Sequence, residues 1–273
     1  MARFAMAAPR MKANFQAMDR HRFRRLAHGV LDLVFPPVCL ACDGPITAGD
    51  PARLVCGRCR SRLRSLPAPA CPRCGAPLLR TGRARGPTCR ECQGWPADLR
   101  SARSAYLLHP PADRIVHQLK YRGWSALGAF MGQRLATLSL PPDVEREARI
   151  VVPVPTTRKR MRSRGYNQAA LIARGFARST GRRLVPLLVR DAARGSQTTL
   201  QPAARRANVA GAFHTALGAE RRIRDAHLIL VDDVLTTGAT AVECSRVLVE
   251  AGARCVSLVT FARALDARRL TQS

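Results

Sequence analysis

His227-Leu-Ile-Leu-Val-Asp-Asp-Val-Leu-Thr-Thr-Gly-Ala-Thr240 joins an apolar run to two adjacent carboxylates and then to a small, hydroxyl-rich turn. Leu228 to Val231 is short and apolar enough for a buried parallel strand. Behind the turn, Cys244, Val247, Leu248 and Ala251 recur at helical spacing. Strand, loop and helix in that order are the repeating unit of an α/β fold, and ligands in such sheets bind beyond the C-terminal ends of the strands. Thr236, Thr237, Gly238, Ala239 and Thr240 can offer hydroxyls, backbone N–H groups and a helix N-terminus to a phosphate, with Gly238 allowing close backbone approach. Asp232 and Asp233 cannot hold a phosphate, because like charges repel. They suit the hydroxyls of a sugar, so the stretch as a whole fits a sugar phosphate. An Asp-Asp turn capping an ordinary helix would explain single residues here but not their ordered combination.

An apolar strand followed by Asp-Asp and then Thr-Gly-x-Thr resembles the phosphoribosyl pyrophosphate (PRPP) motif of type I phosphoribosyltransferases, and the match covers residues 228–240 without a gap. The resemblance implies an α/β domain whose parallel sheet carries helices on both faces. It also implies Asp232 and Asp233 as the catalytic carboxylates on the ribose, with Thr236 to Thr240 around the 5′-phosphate. Mg²⁺ is expected with PRPP, since pyrophosphate and ribose oxygens suit a hard cation.

The 273 residues suffice for such a core plus a smaller module. A formal charge of +28 favours polyanionic partners, from phosphorylated metabolites to nucleic acid. Most of the cations are arginine and alanine is abundant, which a GC-rich coding sequence would produce without any such partner. No run of 18 apolar residues is present to span a membrane, and no apolar leader with a small-residue cleavage site opens the chain. The ten cysteines are therefore expected in a reducing cytoplasm, serving metal or burial rather than disulfides.

Residues 1–19 carry Met1, Met6, Met11 and Met18 and are read as a disordered lead or as preceding the true start. Residues 20–37 are expected as an amphipathic helix, with Phe23, Leu26, Ala27, Val30, Leu31 and Val34 on one face until Pro36-Pro37 ends it. Residues 38–97 then hold four Cys-x-x-Cys knuckles, and zinc takes four thiolates in a tetrahedron, so eight cysteines make two closed structural sites. Cys-Leu-Ala-Cys-Asp-Gly-Pro-Ile at 39–46 is echoed by Cys-Pro-Arg-Cys-Gly-Ala-Pro-Leu at 71–78. The repeat assigns Cys39, Cys42, Cys56 and Cys59 to one zinc and Cys71, Cys74, Cys89 and Cys92 to the other, with crossed pairing left open. A segment with so little aliphatic core needs the folding free energy that metal supplies.

The second unit is expected over 98–273. Ser101 to Leu108 reads as a strand, Ala112 onward as a helix facing inward with Ile115, Val116 and Leu119, and Leu127, Phe130, Met131 and Leu135 as the face of another helix. Lys120, Tyr121 and Arg122 read as a solvated helix end, with a phosphate or nucleic-acid contact as the alternative. Residues 141–149 read as a connection, Ile150 to Pro155 as a strand, 184–189 as a further strand, and Arg194 to Phe213 as a polar loop able to close over a ligand. After Pro155 come five cations in seven residues, from Arg158 to Arg164, read as a loop that precedes a helix with Leu171, Ile172 and Phe176.

Taken together, the four knuckles, Leu119-Lys-Tyr-Arg-Gly123, Val152-Pro-Val-Pro155, Arg164-Gly-Tyr-Asn-Gln168, Gln197-x-x-Leu200, Arg205, Asn208-Val209, Gly211-Ala-Phe213 and the Asp-Asp motif resemble the ComF family. That family combines a double zinc ribbon with a type I phosphoribosyltransferase-like domain and is tied to DNA uptake in natural transformation. Gln201 and Ala204 depart from the Ser and Glu usual there. The resemblance implies a transferase acting on PRPP with an acceptor the sequence does not name, and competence-machinery proteins as partners. It also implies a pyrophosphate site at Arg158, Lys159, Arg160 and Arg164, where cations meet the charge developing on the leaving group. The alternative is a non-catalytic module that binds single-stranded DNA and is regulated by PRPP or a nucleotide, its affinity dominated by phosphates because only 5% of residues are aromatic.

Overall fold

The computed structural model describes residues 36–46, 54–78, 89–191 and 211–265. The expected helix at 20–37 lies almost wholly outside them, as do the 1–19 lead and most of the 194–213 loop, including Gln197, Leu200, Arg205, Asn208 and Val209.

The elements in chain order are α1 (Gly57–Ser61), β1 (Leu99–Leu107), α2 (Ala112–Tyr121), α3 (Leu127–Leu135), α4 (Pro142–Glu147), β2 (Ile150–Pro153), α5 (Arg158–Arg164) and α6 (Gln168–Thr180). They continue with β3 (Arg183–Leu184), β4 (Leu188–Arg190), β5 (Phe213–Thr215), α7 (Glu220–Ile223), β6 (His227–Leu235), α8 (Ala239–Glu250) and β7 (Cys255–Arg263). Five strands form a parallel sheet in the order β1-β7-β6-β2-β3, and β4 pairs antiparallel with β5 beside it.

The apolar run that opened the argument forms β6, near the middle of the sheet. Successive strand side chains point to opposite faces, so a strand covered on both sides must be apolar at every position. Accordingly, Leu228 and Leu230 pack with Val256, Leu258, Cys244 and Leu248 on one face. Ile229 and Val231 pack with Val259, Phe261, Ile172 and Phe176 on the other. Helices α3 and α6 approach very closely across glycines: a Cβ on Gly132 would lie 2.4 Å from the Ile172 carbonyl oxygen, and one on Gly128 2.4 Å from Leu171 Cβ.

The sequence runs outward from β2 to β3 in one direction and from β6 to β7 in the other. The strand order therefore reverses between β2 and β6, and the crevice beyond their C-terminal ends is where an open α/β sheet binds ligands.

The cysteine knuckles cover the free edge of β1. In the second ribbon the Ala102 N–H donates to the Arg73 carbonyl (2.9 Å), and beside the first ribbon the Leu107 N–H donates to the Arg64 carbonyl (2.8 Å). An exposed edge would otherwise invite pairing with another chain. The first ribbon also buries Leu40, Ile46, Val55 and Leu63 in the same core as Ile115 and Val116 of α2.

Three segments differ from the sequence expectation. Residues 141–149 contain the short helix α4, begun by Pro142 at its first position. The stretch 184–189 is no single strand: Pro186 has no N–H for a ladder, and β3 and β4 on either side of it belong to different sheets. The cation-rich segment after β2 is a helix rather than a loop. The Thr157 hydroxyl accepts from the Arg160 N–H at 3.3 Å, and Gly165 at φ +80° ends α5.

Candidate functional site

The two carboxylates fall at the C-terminal end of β6, where Val231 pairs with Pro153 of β2. Here a cleft of about 460 Å³ opens, lined by Asp232, Asp233, Thr236 and Thr240 from the opening motif, by Thr156 and Arg160 beyond β2, and by Lys120, Tyr121, Asn167 and Arg190.

Asp233 is almost fully buried. Its Oδ1 lies 2.8 Å from Lys120 Nζ, while its Oδ2 has no hydrogen-bond partner among the described residues. Asp232 is half-buried, and its Oδ1 accepts from the Asp233 N–H at 2.8 Å. Desolvation, reinforced by the charge of Asp233 next door, pushes the Asp232 carboxyl up to about 7. One oxygen of each carboxylate is thus engaged, and Asp233 Oδ2 is left without a partner among the described residues.

Thr236 and Thr240 line the cleft, whereas Thr237, Gly238 and Ala239 stand behind it. The Thr237 hydroxyl accepts from the Ala239 N–H (3.4 Å), and Gly238 takes φ +82° as it caps α8. That left-handed turn aims the loop back over the sheet.

Of the four cations implied for pyrophosphate, the cleft receives Arg160 alone. The exposed Arg158 and Lys159 do not line it, and the Arg164 guanidinium lies 5.1 Å over the Tyr121 ring. Their helical spacing explains the split, since residues of one short helix face different ways.

Two further cations line the cleft: Lys120, for which the sequence offered a phosphate contact only as the alternative, and Arg190, which it did not single out. Lys120 is no solvated helix end but the partner of Asp233, brought there because α2 ends against β6. Arg190, at the end of β4, stacks on Phe213 at 4.9 Å, and its Nε is buried without a hydrogen-bond partner among the described residues. Burial holds its pKa below the ordinary arginine value, and Arg160 nearby adds to that. A half-buried guanidinium facing a cleft without a carboxylate on it is prepared for an anion. Lys120 was quoted within the motif Leu119-Lys-Tyr-Arg-Gly123 without a role in the cleft, and no periodicity or motif marks Arg190. Asn167 was quoted only as part of a motif, yet it ties the site together: its Nδ2 donates to the Val154 carbonyl (2.9 Å) and its Oδ1 caps α6 by accepting from the Ala169 N–H (3.1 Å).

The eight knuckle cysteines gather as the repeat assigns them, in two sets whose sulfurs all lie within 4.8 Å of one another. Tetrahedral zinc with Zn–S near 2.3 Å holds its sulfurs about 3.8 Å apart. The Cys42–Cys56 separation is 3.9 Å, Cys71–Cys92 3.8 Å and Cys74–Cys89 3.5 Å, so both sets fit a structural zinc ion. Burial would raise the Cys39 thiol, but N–H donors from Cys56 and Ala41 bring it down to about 7, which favours the thiolate a metal requires. The repeat is also conformational: Asp43 and Gly75, at equivalent places after the knuckles, both take positive φ (58° and 68°).

Comparison with known proteins agrees with both units. Residues 30–93 match the double zinc ribbon domain model. The chain is 28% identical over 244 residues to competence protein ComFC of Bacillus subtilis (strain 168), covering 83% of this chain and 95% of that one. It is 27% identical to DNA utilization protein YhgH of Escherichia coli (strain K12), over 85% of this chain and all of the other. With competence protein F of Haemophilus influenzae it shares 26% identity across 83% and 96% of the two chains. Among solved structures, the glutamine PRPP amidotransferase from B. subtilis aligns with 49% of this chain and 25% of its own length, at 22% identity and a TM-score of 0.33. The ribbon and relatives that match nearly end to end agree, and together they support the ComF family for this chain.

Proposed function

We propose that the cleft at the ends of β2 and β6 binds PRPP or a closely related sugar phosphate. One observation carries the reading: Asp232 and Asp233, the hydroxyls of Thr236 and Thr240, and the cations Arg160 and Arg190 converge on a single cleft at the strand reversal. On this reading the carboxylates accept hydrogen bonds from the ribose hydroxyls and the loop from Thr236 to Thr240 takes the 5′-phosphate. Arg160 and Arg190, rather than Arg158, Lys159 and Arg164, face the pyrophosphate. Mg²⁺ would enter on the pyrophosphate and ribose oxygens, and the carboxylate and hydroxyl oxygens around them suit that hard cation. Residues 38–97 then form the ribbon unit and 98–273 the phosphoribosyltransferase-like unit.

Calorimetric titration with PRPP, with and without Mg²⁺, tests this. Binding in the wild type that Asp232→Ala and Asp233→Ala each abolish supports the site; no binding in the wild type removes it. Pyrophosphate release on adding nucleobases or DNA then separates a transferase from a sensor.

A second reading, binding of single-stranded DNA beside this cleft in DNA uptake, is favoured by the surface around α5. All five of its cations are free of ion pairs among the described residues, and Tyr121, 64% exposed, lies under Arg164 at the cleft mouth. Trp124 and Met161 are also large exposed apolar residues. Cations interleaved with open aromatic faces are how single strands are held without regard to sequence. Replacing Arg158, Lys159 and Arg162 with glutamine should flatten the slope of log affinity against log salt by about 2 on a single strand. An unchanged slope rules out α5 as the contact.

A further inference from the structure

The second zinc ribbon reaches the sugar-phosphate loop through one side chain. Trp95, three residues past Cys92, is 8% exposed, and its indole packs against Gly238. A Cβ on Gly238 would stand 2.6 Å from Trp95 Cζ2 and 2.9 Å from Cε2, closer than carbon atoms approach. Glycine is therefore required there twice, for φ +82° and because the indole occupies the space a Cβ would take.

The ribbon fixes the indole in turn. The Trp95 backbone N–H donates to the Cys92 carbonyl at 3.1 Å, fixing the chain that carries the ring. Arg73, between the ligands Cys71 and Cys74, donates to the carbonyls of Cys92 (3.3 Å), Trp95 (3.3 Å) and Leu99 (3.1 Å), and also to that of Pro96. From the other side, Arg263 at the end of β7 is buried and donates to the Cys74 carbonyl at 2.7 Å. One rigid path of hydrogen bonds and ring contact thus runs from the second cysteine cluster to the residue that starts α8.

We propose that Trp95 is a positioning residue for the sugar-phosphate site: the ribbon's indole holds Gly238, and with it the Thr236–Thr240 loop, in the conformation that receives the phosphate. The second ribbon is then part of the site although none of its atoms touches the ligand, and loosening it weakens sugar-phosphate binding. The inference rests on the PRPP reading above.

The test is calorimetry with PRPP and Mg²⁺ on the full-length wild type, Trp95→Ala and Trp95→Phe. Zinc content and amide hydrogen exchange over 236–240 are measured on the same samples. Both variants should keep the zinc of the wild type. Trp95→Ala should bind at least about ten-fold more weakly and exchange the loop amides faster, while Trp95→Phe, which keeps a flat ring, should stay within about three-fold. A role confined to stability would lower the unfolding temperature of Trp95→Ala and leave the affinity of the folded protein unchanged; that result overturns the inference and leaves the PRPP reading standing. If the wild type binds no PRPP, both fall together. Should Trp95→Ala fail to fold, Trp95→Leu decides by the same criterion, since it keeps an apolar side chain but loses the plane.

Discussion

Lys120→Met isolates the electrostatic centre of the cleft. The Lys120 and Asp233 side chains are 22% and 5% exposed and meet at 2.8 Å, and Asp233 Oδ2 already lacks a partner. Methionine keeps the length and apolar stem of lysine but leaves a desolvated carboxylate with no counter-charge. Breaking a fully buried pair costs about 3–5 kcal/mol, and the partial exposure of Lys120 brings the expectation to about 2–4 kcal/mol. For a chain of this size each kcal/mol lowers the unfolding midpoint by about 2–4 °C, which predicts a drop of about 5–12 °C. Asp233→Asn in the Lys120→Met background removes the stranded charge, so the double variant should recover at least about 1.5 kcal/mol relative to additivity. Urea and thermal unfolding of the four proteins close the cycle. A cost below about 1 kcal/mol for Lys120→Met, or additivity within about 0.5 kcal/mol, would refute the claim that this pair is effectively buried.

Asp232 titrates near neutrality because burial and Asp233 raise it from 3.8 to about 7, and only its ionised form is a pure acceptor for sugar hydroxyls. PRPP affinity should therefore rise between about pH 6 and 8 more steeply in the wild type than in Asp232→Asn, where only the ligand's own phosphates titrate. The sign for stability is opposite. The folded protein holds this proton more tightly than the unfolded chain, so the contribution is fully present below about pH 4 and is lost as pH rises through about 7, a decline that Asp232→Asn should lack in pH-dependent urea unfolding. Gly132→Ala places a Cβ 2.4 Å from the Ile172 carbonyl oxygen and should cost about 1–3 kcal/mol by forcing α3 and α6 apart. Gly94→Ala, which meets nothing within 4 Å, should change stability by less than about 0.5 kcal/mol in the same assay. Native mass spectrometry should find two zinc ions in the wild type and one in the Cys42→Ser/Cys56→Ser double variant; loss of both ions would mean crossed pairing.

What could be read from the sequence was whatever one element decides alone. The strand at 228–231, the helix behind it and the inward faces of α2 and α3 follow from local periodicity, and the cysteine sets follow from an internal repeat. The site was legible only where its residues are contiguous. Asp232, Asp233, Thr236 and Thr240 share one stretch, but Lys120 and Arg190 arrive from elements far away in sequence, and nothing in their neighbourhoods encodes the meeting. The segment after β2 misled because five cations suggest solvation, whereas the Thr157 cap and Gly165 stop, which do define a helix, are single residues in a noisy background. Trp95 was invisible for a similar reason: its function is a contact with Gly238, more than a hundred residues away, and its local setting is an ordinary turn after a knuckle.

The arginine surplus divides along the same line between local and distant roles. Composition alone balanced polyanion binding against coding bias, but several arginines are neither solvated nor free. Arg73 donates to carbonyls of Cys92, Trp95, Pro96 and Leu99, Arg103 to those of Pro72, Arg73 and Ala102, Arg182 to that of Ala148, and Arg263 to that of Cys74. Small metal-stapled loops leave many carbonyls without a ladder partner, and a planar guanidinium with five donors satisfies several at once where a lysine could not. These residues contribute to the formal charge of +28 without presenting that charge to a ligand. The cations of α5 are placed differently: five of them crowd one short helix that buries none of its residues and forms no ion pair with the described residues. Among the described residues, Arg160 of α5 and Arg190 are the arginines that line the cleft, whereas the guanidiniums of Arg73 and Arg103 are committed to backbone carbonyls of the ribbons and β1.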